Sequence, residues 1–583
     1  MKKIIVIISL CILTVYTYAQ SIDLNWSEKQ EYQNKKDGFF DEFIGGNSKY
    51  VYAKYNKMAY KPAKANSKIK LVAYDKTTMK QVAQEAIVGY KENDADKERM
   101  KGLTYFDQVV FENTVNIFWI KTSNGTSELY AQVFDAKLNE KVKLKKIYEV
   151  KASGKKSYPN MFVIGNKKAG EKIVIGAELP REKNENVKFE YKILKADLGF
   201  DASNQITLPY STVTTDRYLS ASYEIGDDGL LYVNTGIKLS KEEREGLMKN
   251  EMSSYNLLTV VNPSTGKYKA YPLKFDNKNL FDVDYLVTPT KTKIYGLFCD
   301  LLKDNKGSDM HGIFYAEIDN ATSSMTATNF TYFDKPTLDK LFANDKRDQK
   351  KAGVLKSKKA KKSNEESLAG DYVIEDIQSV DDKHVVLFAS RMRNWSRTTC
   401  DSKGNCTTRY YCTKSNVTTF KVDNTGKLLW ASNLNREYTY NNWNVYDVKV
   451  VNKDDKLFAL YGGSEIISKE QKKAKKNEKR TPRGVGELEY AVFDYSTGSF
   501  KTDKYKVNSI NAKQSDRKYV NPLGITIIDN RMFINSSRIK IKPLSIVFGC
   551  LGALVCPPVI AIPFMSGNAK KGSGYIGNII PLK

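Results

Sequence analysis

The sequence predicts an all-β chain closed into an eight-bladed β-propeller. Short alternating runs of Tyr, Val, Ile and Phe, broken by Gly, Asn and Asp, stand where long amphipathic helical patterns are almost absent. A β run ending in Asp or Asn recurs along the chain, as a repeat architecture requires. One strand-like segment near the start has no partner, and the last repeat is one strand short. Seven blades with a separate cap is the second expectation, and two β-sandwich domains the third.

The recurring run appears as LVAYD ending at Asp75, YAQVFD at Asp135, KILKAD at Asp197 and LLTVVN at Asn262. It continues as FYAEID at Asp319, TTFKVD at Asp423 and EYAVFD at Asp494. Successive copies lie 57 to 71 residues apart, except for one interval of 104 that holds a Lys-rich insertion. Upstream of each run two further strands meet at a tight polar turn. These turns are GGNSK (45–49), ENTVN (112–116), GNKKAG (165–170), GDDG (226–229), TPTKT (288–292), VDDK (380–383) and NKDDK (452–456). An eighth turn, IDNR (528–531), begins a final unit near Tyr519, which takes GYIGNIIPL (574–582) as its third strand. The chain then ends before a fourth. Ser21-Ile22-Asp23-Leu24-Asn25-Trp26 supplies the missing strand, and that pairing closes the ring and hides its open edges.

One unit carries a family resemblance. Phe420-Lys-Val-Asp423-Asn-Thr-Gly426-Lys-Leu-Leu-Trp430 resembles the repeat of quinoprotein-type propellers, where a strand ends in Asp, turns through Thr-Gly and reaches a Trp. Asn262-Pro-Ser-Thr-Gly266-Lys and Asp494-Tyr-Ser-Thr-Gly498-Ser are weaker echoes. The resemblance implies tryptophans that brace the blades. In quinoprotein dehydrogenases adjacent cysteines contact the cofactor; this chain has none, so quinone binding does not carry over and no cofactor is expected. Propellers of this type also include a non-enzymatic lipoprotein of the outer-membrane barrel assembly machinery, which implies a scaffold role by analogy alone.

Residues 1–19 read as a secretory signal: Lys2 and Lys3, an apolar run from Ile4 to Val15, then small residues in Thr17-Tyr18-Ala19 with cleavage before Gln20. Residues 20–583 then form a single propeller domain, exported to the periplasm or held at the outer membrane or cell surface. The whole chain has 93 Lys+Arg against 67 Asp+Glu, a net +26, and loss of two signal lysines with no acid leaves +24. Two histidines leave little material for a His-rich metal site, and seven cysteines are too few for a disulfide-built scaffold of this size.

Long segments concentrate on the connections of one face, and binding groups gather on loops presented by a rigid scaffold. A basic insertion at about 335–370 carries nine cations between Lys346 and Lys362, including Lys356, Lys358, Lys359, Lys361 and Lys362, against Asp345 and Asp348. A second, at about 465–487, carries Lys472, Lys473, Lys475, Lys476, Lys479 and Arg480. Between them stands a hairpin whose Arg-Thr-Thr-Cys and Cys-Thr-Thr-Arg halves mirror each other about Lys403, setting Cys400 opposite Cys406 as a disulfide candidate. A 23-residue uncharged loop, 543–565, includes Phe548, Phe564 and a second candidate pair, Cys550 and Cys556. Pro557, Pro558 and Pro563 argue against a membrane span there, leaving a folded loop or an apolar contact with a leaflet or partner.

Asp41, Asp107, Asp282, Glu375 and Asp447 recur about six residues before their turns, on the innermost strands. They are candidates for a channel carboxylate ring, weighed against ordinary turn chemistry. No G-x-S-x-G elbow, H-E-x-x-H or phosphate loop occurs, so neither catalytic residues nor a metal site is assigned. These features point to a non-enzymatic binding or scaffold protein meeting an envelope protein or anionic envelope surface. Nucleic acid does not fit the exported location. A glycan or peptide hydrolase using channel carboxylates is the alternative, and a small-ligand or sensor propeller a further one.

Overall fold

The computed structural model describes residues 22–33, 38–56, 69–88, 102–151, 160–180, 185–207, 218–241, 254–303, 309–342, 368, 372–400, 406–441, 448–461, 464–465, 487–507, 518, 525–541 and 569–582. They form eight antiparallel sheets, one per blade, with strands named a to d from the channel outward. Blade 1 is Phe39–Gly46, Tyr50–Asn56, Ile69–Asp75 and Gln81–Val88; blade 2 is Thr104–Val110, Thr114–Ser123, Thr126–Asp135 and Glu140–Lys151. Blade 3 is Met161–Asn166, Lys172–Glu178, Lys188–Lys195 and Phe200–Thr207; blade 4 is Tyr218–Ile225, Leu231–Lys238, Ser254–Val261 and Tyr268–Leu273. Blade 5 is Lys278–Val287, Lys291–Asp300, Gly312–Asp319 and Ser324–Tyr332; blade 6 is Tyr372–Ser379, His384–Cys400, Cys406–Asp423 and Leu428–Asn441. Blade 7 is Lys449–Lys453, Lys456–Tyr461, Glu487–Asp494 and Phe500–Lys506. Blade 8 takes Thr526–Ile528, Arg531–Ile541 and Ala569–Pro581 from one end of the chain and Ile22–Trp26 from the other. The protein is an eight-bladed β-propeller, and all eight expected turns join strands a and b.

The apolar core is distributed. The described residues hold eight buried clusters, and each spans one pair of neighbouring blades. Alternating side chains on both faces of every blade therefore find an apolar partner, which is why the strands read as nearly continuous hydrophobic runs. Close approach of the inner strands demands small residues. A Cβ on Gly165 of blade 3 would lie 2.3 Å from Val109 Cγ1 of blade 2.

Ring closure follows the period-two pattern of the first strand. Ile22 and Leu24 are buried in the cluster between blades 7 and 8, Asp23 faces out, and Ile22 pairs with Pro581 through to Trp26 with Gly577. A second short strand, Gln30–Gln33, extends the pairing to Gly574 and Lys571, which was not expected. Its Gln30 amide donates to Tyr74 Oη (2.7 Å), while the Tyr32 and Tyr55 hydroxyls donate to Gln30 Oε1 (both 3.1 Å). This polar knot fastens the closing strand to blade 1.

The recurrent Asp and Asn residues end strand c and set the c–d turn. Asp75 Oδ1 accepts from the Thr78 N–H (2.8 Å), Asp423 Oδ1 from the Thr425 N–H (2.8 Å) and Asp494 Oδ1 from the Ser496 N–H (2.9 Å). Blade 8 has no such residue because its strands c and d come from opposite ends of the chain. The Thr78 N–H holds the Asp75 carboxyl below its ordinary range, and the Thr322 N–H does the same for Asp319. Strand d of one blade then latches the c–d turn of the next. Trp430 Nε1 donates to the Tyr495 carbonyl (3.0 Å), and a Cβ on Gly498 (φ 71°) would lie 2.5 Å from the indole. Elsewhere the same latch is made without Trp. Asn204 donates to Pro263 O (2.9 Å), Tyr271 to Ser323 O (2.7 Å), Asn329 to Thr425 O (3.0 Å) and Asn25 to Thr77 O (2.6 Å).

Two features of the insertions differ from expectation. The segment read as basic insertion from about residue 335 begins as a helix, Lys335–Phe342, capped by Asp334, whose carboxylate accepts from the Thr337 N–H (2.9 Å). Leu338 and Leu341 sink into the core between blades 5 and 6. Strands b and c of blade 6 run 17 and 18 residues, so their hairpin stands beyond the blade as an arm. The signal segment 1–19 and the loop 543–565 lie outside the described residues. Among those described, no helix is long and apolar enough to cross a membrane.

Removing residues 22–33 is expected to cost more than the burial of Ile22 and Leu24, about 3–5 kcal/mol, because the edge of Ala569–Pro581 is also bared. Thermal melting together with light scattering checks this: a lower midpoint and self-association are expected, and an unchanged melt contradicts the closure.

Candidate functional site

The inner strands of several blades carry extra residues. Strand a is bulged at Asp41 and again at Ile44 in blade 1, at Phe106 in blade 2, Phe281 in blade 5 and Glu375 in blade 6. Glu42, Asp107, Asp282 and Asp376 follow the bulge and are the equivalent positions. Asp107 and Asp282 therefore stand just after a bulge, whereas Asp41 and Glu375 stand at one. A one-residue slip reverses the face a side chain takes.

The candidate carboxylates divide accordingly. Asp41 and Glu42 are exposed and both meet the buried Lys54, Asp41 at 3.1 Å. Burial, reinforced by Glu42, pushes the Asp107 carboxyl up against the opposing Gln108 N–H. Glu375 turns into blade 6, its side chain 1% exposed, where Lys414 Nζ lies 2.9 Å away and Arg436 3.8 Å away. Its second oxygen accepts from the Val448 N–H of blade 7 at 2.5 Å. Asp282 likewise accepts from the Ile374 N–H of blade 6 (2.7 Å). Both carboxylates thus tie one inner strand to the next. Asp447 lies outside the described residues.

Four carboxylates on the inner strands of three consecutive blades bear on one another electrostatically, and of these Asp282 alone was anticipated. Glu224 of blade 4, Asp282 and Asp284 of blade 5 and Asp376 of blade 6 all have raised pKa values, first through burial. Asp284 adds like-charge repulsion to each of the other three. Asp376 is pushed up to about 6 against the Gln378 amide, the Ile377 N–H and Lys449. Glu224 and Asp284 are nevertheless open to solvent. Asp282-Val-Asp284 at i, i+2 on an inner strand was the signal that could have found the arc.

At the face of the a–b turns, neighbouring blades interlock. Asn530 Nδ2 donates to Asn452 O (2.6 Å), Asn47 Nδ2 to Glu112 O (2.9 Å) and Asn166 Nδ2 to Asp227 Oδ1 (2.9 Å). Asp529 of blade 8 pairs with Lys76 (2.7 Å) and also with Lys167 of blade 3, which reaches past the turns of blades 1 and 2.

The opposite face is where the b–c and d–a connections depart. One end of each basic insertion is anchored on blade 6. Segment 343–367 leaves from helix Lys335–Phe342, whose Leu341 carbonyl accepts from Asn433 Nδ2 (3.2 Å) on strand d of blade 6, and returns at Leu368, bridged to Met310. Segment 466–486 leaves from Ser464–Glu465, which pairs with Glu437 and Arg436 on that same strand d. The lysines and Arg480 assigned from sequence, with Phe548, Phe564, Cys550 and Cys556, lie outside the described residues. The arm register sets Cys400 opposite Cys406, and Cys412 is buried at the arm's foot.

Neither histidine joins the arc. His384 pairs with Asp381 (2.7 Å) in an a–b turn, and His311 is buried in blade 5, where its Nδ1 lies 3.2 Å from the Asp300 N–H. Among the described residues, no group of three or more His, Cys, Asp or Glu is arranged to hold a metal ion.

No protein-family profile matches this chain, and no curated protein matches it. It is similar to solved propeller-bearing structures at low identity. The β-propeller domain of the Trilobed protease from Pyrococcus furiosus is 9% identical, covering 82% of this chain and 100% of that one, with a TM-score of 0.33. The Dos1 propeller is 11% identical over 86% and 93% of the two chains, with a TM-score of 0.33. A post-proline cleaving enzyme from Rickettsia typhi is 10% identical over 85% and 57%, with a TM-score of 0.34.

The raised pKa of Asp376 predicts a pH-dependent stability. Its folded value near 6 exceeds the ordinary 3.8, so the folded state binds the proton more tightly, and stability falls as pH rises from the lower value to the higher and levels off beyond it. Asp376→Asn is expected to stabilise by about 1–2 kcal/mol at pH 7.5, and the gain should shrink toward pH 4.5. Urea melts at both pH values check this; an equal gain at both contradicts it.

Proposed function

We propose that this is an exported, non-enzymatic propeller that binds an anionic component or protein of the cell envelope through the face opposite the a–b turns. The observation that supports it is that one end of each basic insertion is anchored on strand d of blade 6. Two cation-rich segments far apart in sequence thus start from one strand, on the blade that carries the long arm. Electrostatics of this kind mainly speeds encounter and sets orientation. The apolar loop 543–565 adds short-range contact on the same face, and a Cys400–Cys406 bridge braces the arm tip. The quinoprotein-type resemblance, in its non-enzymatic branch, agrees with the Trp430 latch to blade 7.

The raised pKa values of Asp107, Asp282, Asp284 and Asp376 favour a second reading, in which the channel acts on or holds a small ligand. Loss of a hydrolytic activity in Asp107→Asn or Asp282→Asn, with the fold intact, is the result that would establish it.

Washing cell envelopes with high salt and then detergent tests the main reading. Salt is expected to release the protein, and changing the lysines at 356–362 and 472–479 to glutamine should weaken association at least tenfold. Release by detergent alone, lost when residues 544–565 are deleted, would make the apolar loop the principal contact. A freely soluble protein from the outset overturns the proposal.

A further inference from the structure

The ring closes beside a cavity. At the seam between blades 7 and 8, a space of about 330 Å³ is lined by Lys453, Asp454, Lys456 and Phe458 of blade 7 and by Leu582, just past the last strand of blade 8. That volume lies at the small end of ligand pockets, roughly 300–1,000 Å³. Strand register sets its walls. Asp454 and Asp455, both in the left-handed region (φ 46° and 62°), form the two-residue turn of the first hairpin of blade 7, which places Lys453 directly opposite Lys456. Residues opposite each other share a face, and so do Lys456 and Phe458, two apart on strand b. Phe458 belongs to the apolar cluster that holds Ile22, Leu24 and Ile579 of blade 8. The lysine pair therefore faces the closing blade.

The charges on this face are unbalanced. Lys453 Nζ donates to the Pro581 carbonyl (2.6 Å), a neutral acceptor, on the residue that pairs with Ile22 where the ring closes. The Lys456 ammonium has no ion-pair or hydrogen-bond partner among the described residues. Asp494 stands opposite Lys456 on strand c, but its Oδ1 accepts from the Ser496 (2.9 Å) and Thr497 (3.0 Å) N–H groups of its own turn. Like charges placed opposite each other destabilise a strand pair, and an anion seated between them removes that repulsion. Asp454 is the one acid on the lining, so the cavity carries a net single positive charge. Beside the cations lie Phe458 and the half-exposed Leu582, which offer an apolar wall.

We propose that the seam cavity binds a small amphipathic monocarboxylate, its carboxylate between Lys453 and Lys456 and its apolar body against Phe458 and Leu582. Lysine ammonium groups act as point charges and accept a carboxylate from several directions. A second negative charge on the ligand would meet Asp454, which selects a monoanion. One wall belongs to blade 7 and the other to the last strand of blade 8, so a bound molecule bridges the seam and favours the closed ring. The site is separate from the envelope-binding face and does not depend on that reading.

The test is calorimetric titration and thermal melting of the full-length mature protein with octanoate, n-octylammonium, 1-octanol and the dicarboxylate suberate. Octanoate is expected to bind in a salt-dependent way and to raise the melting midpoint. Octylammonium and octanol are expected not to bind, and suberate to bind at least threefold more weakly than octanoate. Lys456→Gln should weaken octanoate binding roughly tenfold, the loss of one charge-assisted hydrogen bond. Without ligand it should melt as the parent does. Should that variant fold poorly, Leu582→Asp removes the apolar wall at an exposed position and adds a repelling charge, and at least a tenfold loss is expected. No binding of octanoate, equal binding of octylammonium or octanol, suberate held as tightly as octanoate, or undiminished binding by both variants each overturns the proposal.

Discussion

A ring of sheets has to close, and here closure depends on one short strand. Ile22–Trp26 crosses from the first residues described to pair with the last strand of the chain. The eight apolar clusters lie between blades, so an open ring loses two half-cores and exposes two strand edges together. No blade is independently sufficient, and cooperativity has to run around the circle. The polar knot of Gln30 with Tyr32, Tyr55 and Tyr74 extends the closing contact from blade 8 into blade 1.

The two faces of the ring are built under different constraints. On one, Asp and Asn side chains are fully occupied: they shape the c–d turns, latch them to the preceding blade and interlock the a–b turns. Trp430 is the aromatic version of a latch that Asn204, Tyr271, Asn329 and Asn25 make with smaller side chains. What recurs is the hydrogen bond to a turn carbonyl, which explains how a chain with five tryptophans sustains eight blades. On the other face the connections are released from this work. Length, charge and the long hairpin of blade 6 accumulate there.

Much of this architecture was legible because it is local and repeated. Each a–b turn announces itself within a few residues, and the unpaired strands at the two ends imply each other. The site was less legible because its geometry depends on bulges. Asp41 and Asp107 both stand a few residues before their turns in sequence, yet a bulge lies at Asp41 in one strand and just before Asp107 in the other. Glu375 is committed to Lys414 and Arg436 from strands 39 and 61 residues later, a contact no local pattern announces. The arc of Glu224, Asp284 and Asp376 was missed for the same reason, since it is assembled from three blades. The helix Lys335–Phe342 was hidden by the lysines that follow it.

Lys167 and Asp529 join blades that are not neighbours, reaching over the turns of blades 1 and 2. The pair gives blade 3 a direct link to the closing blade that bypasses the two blades between them.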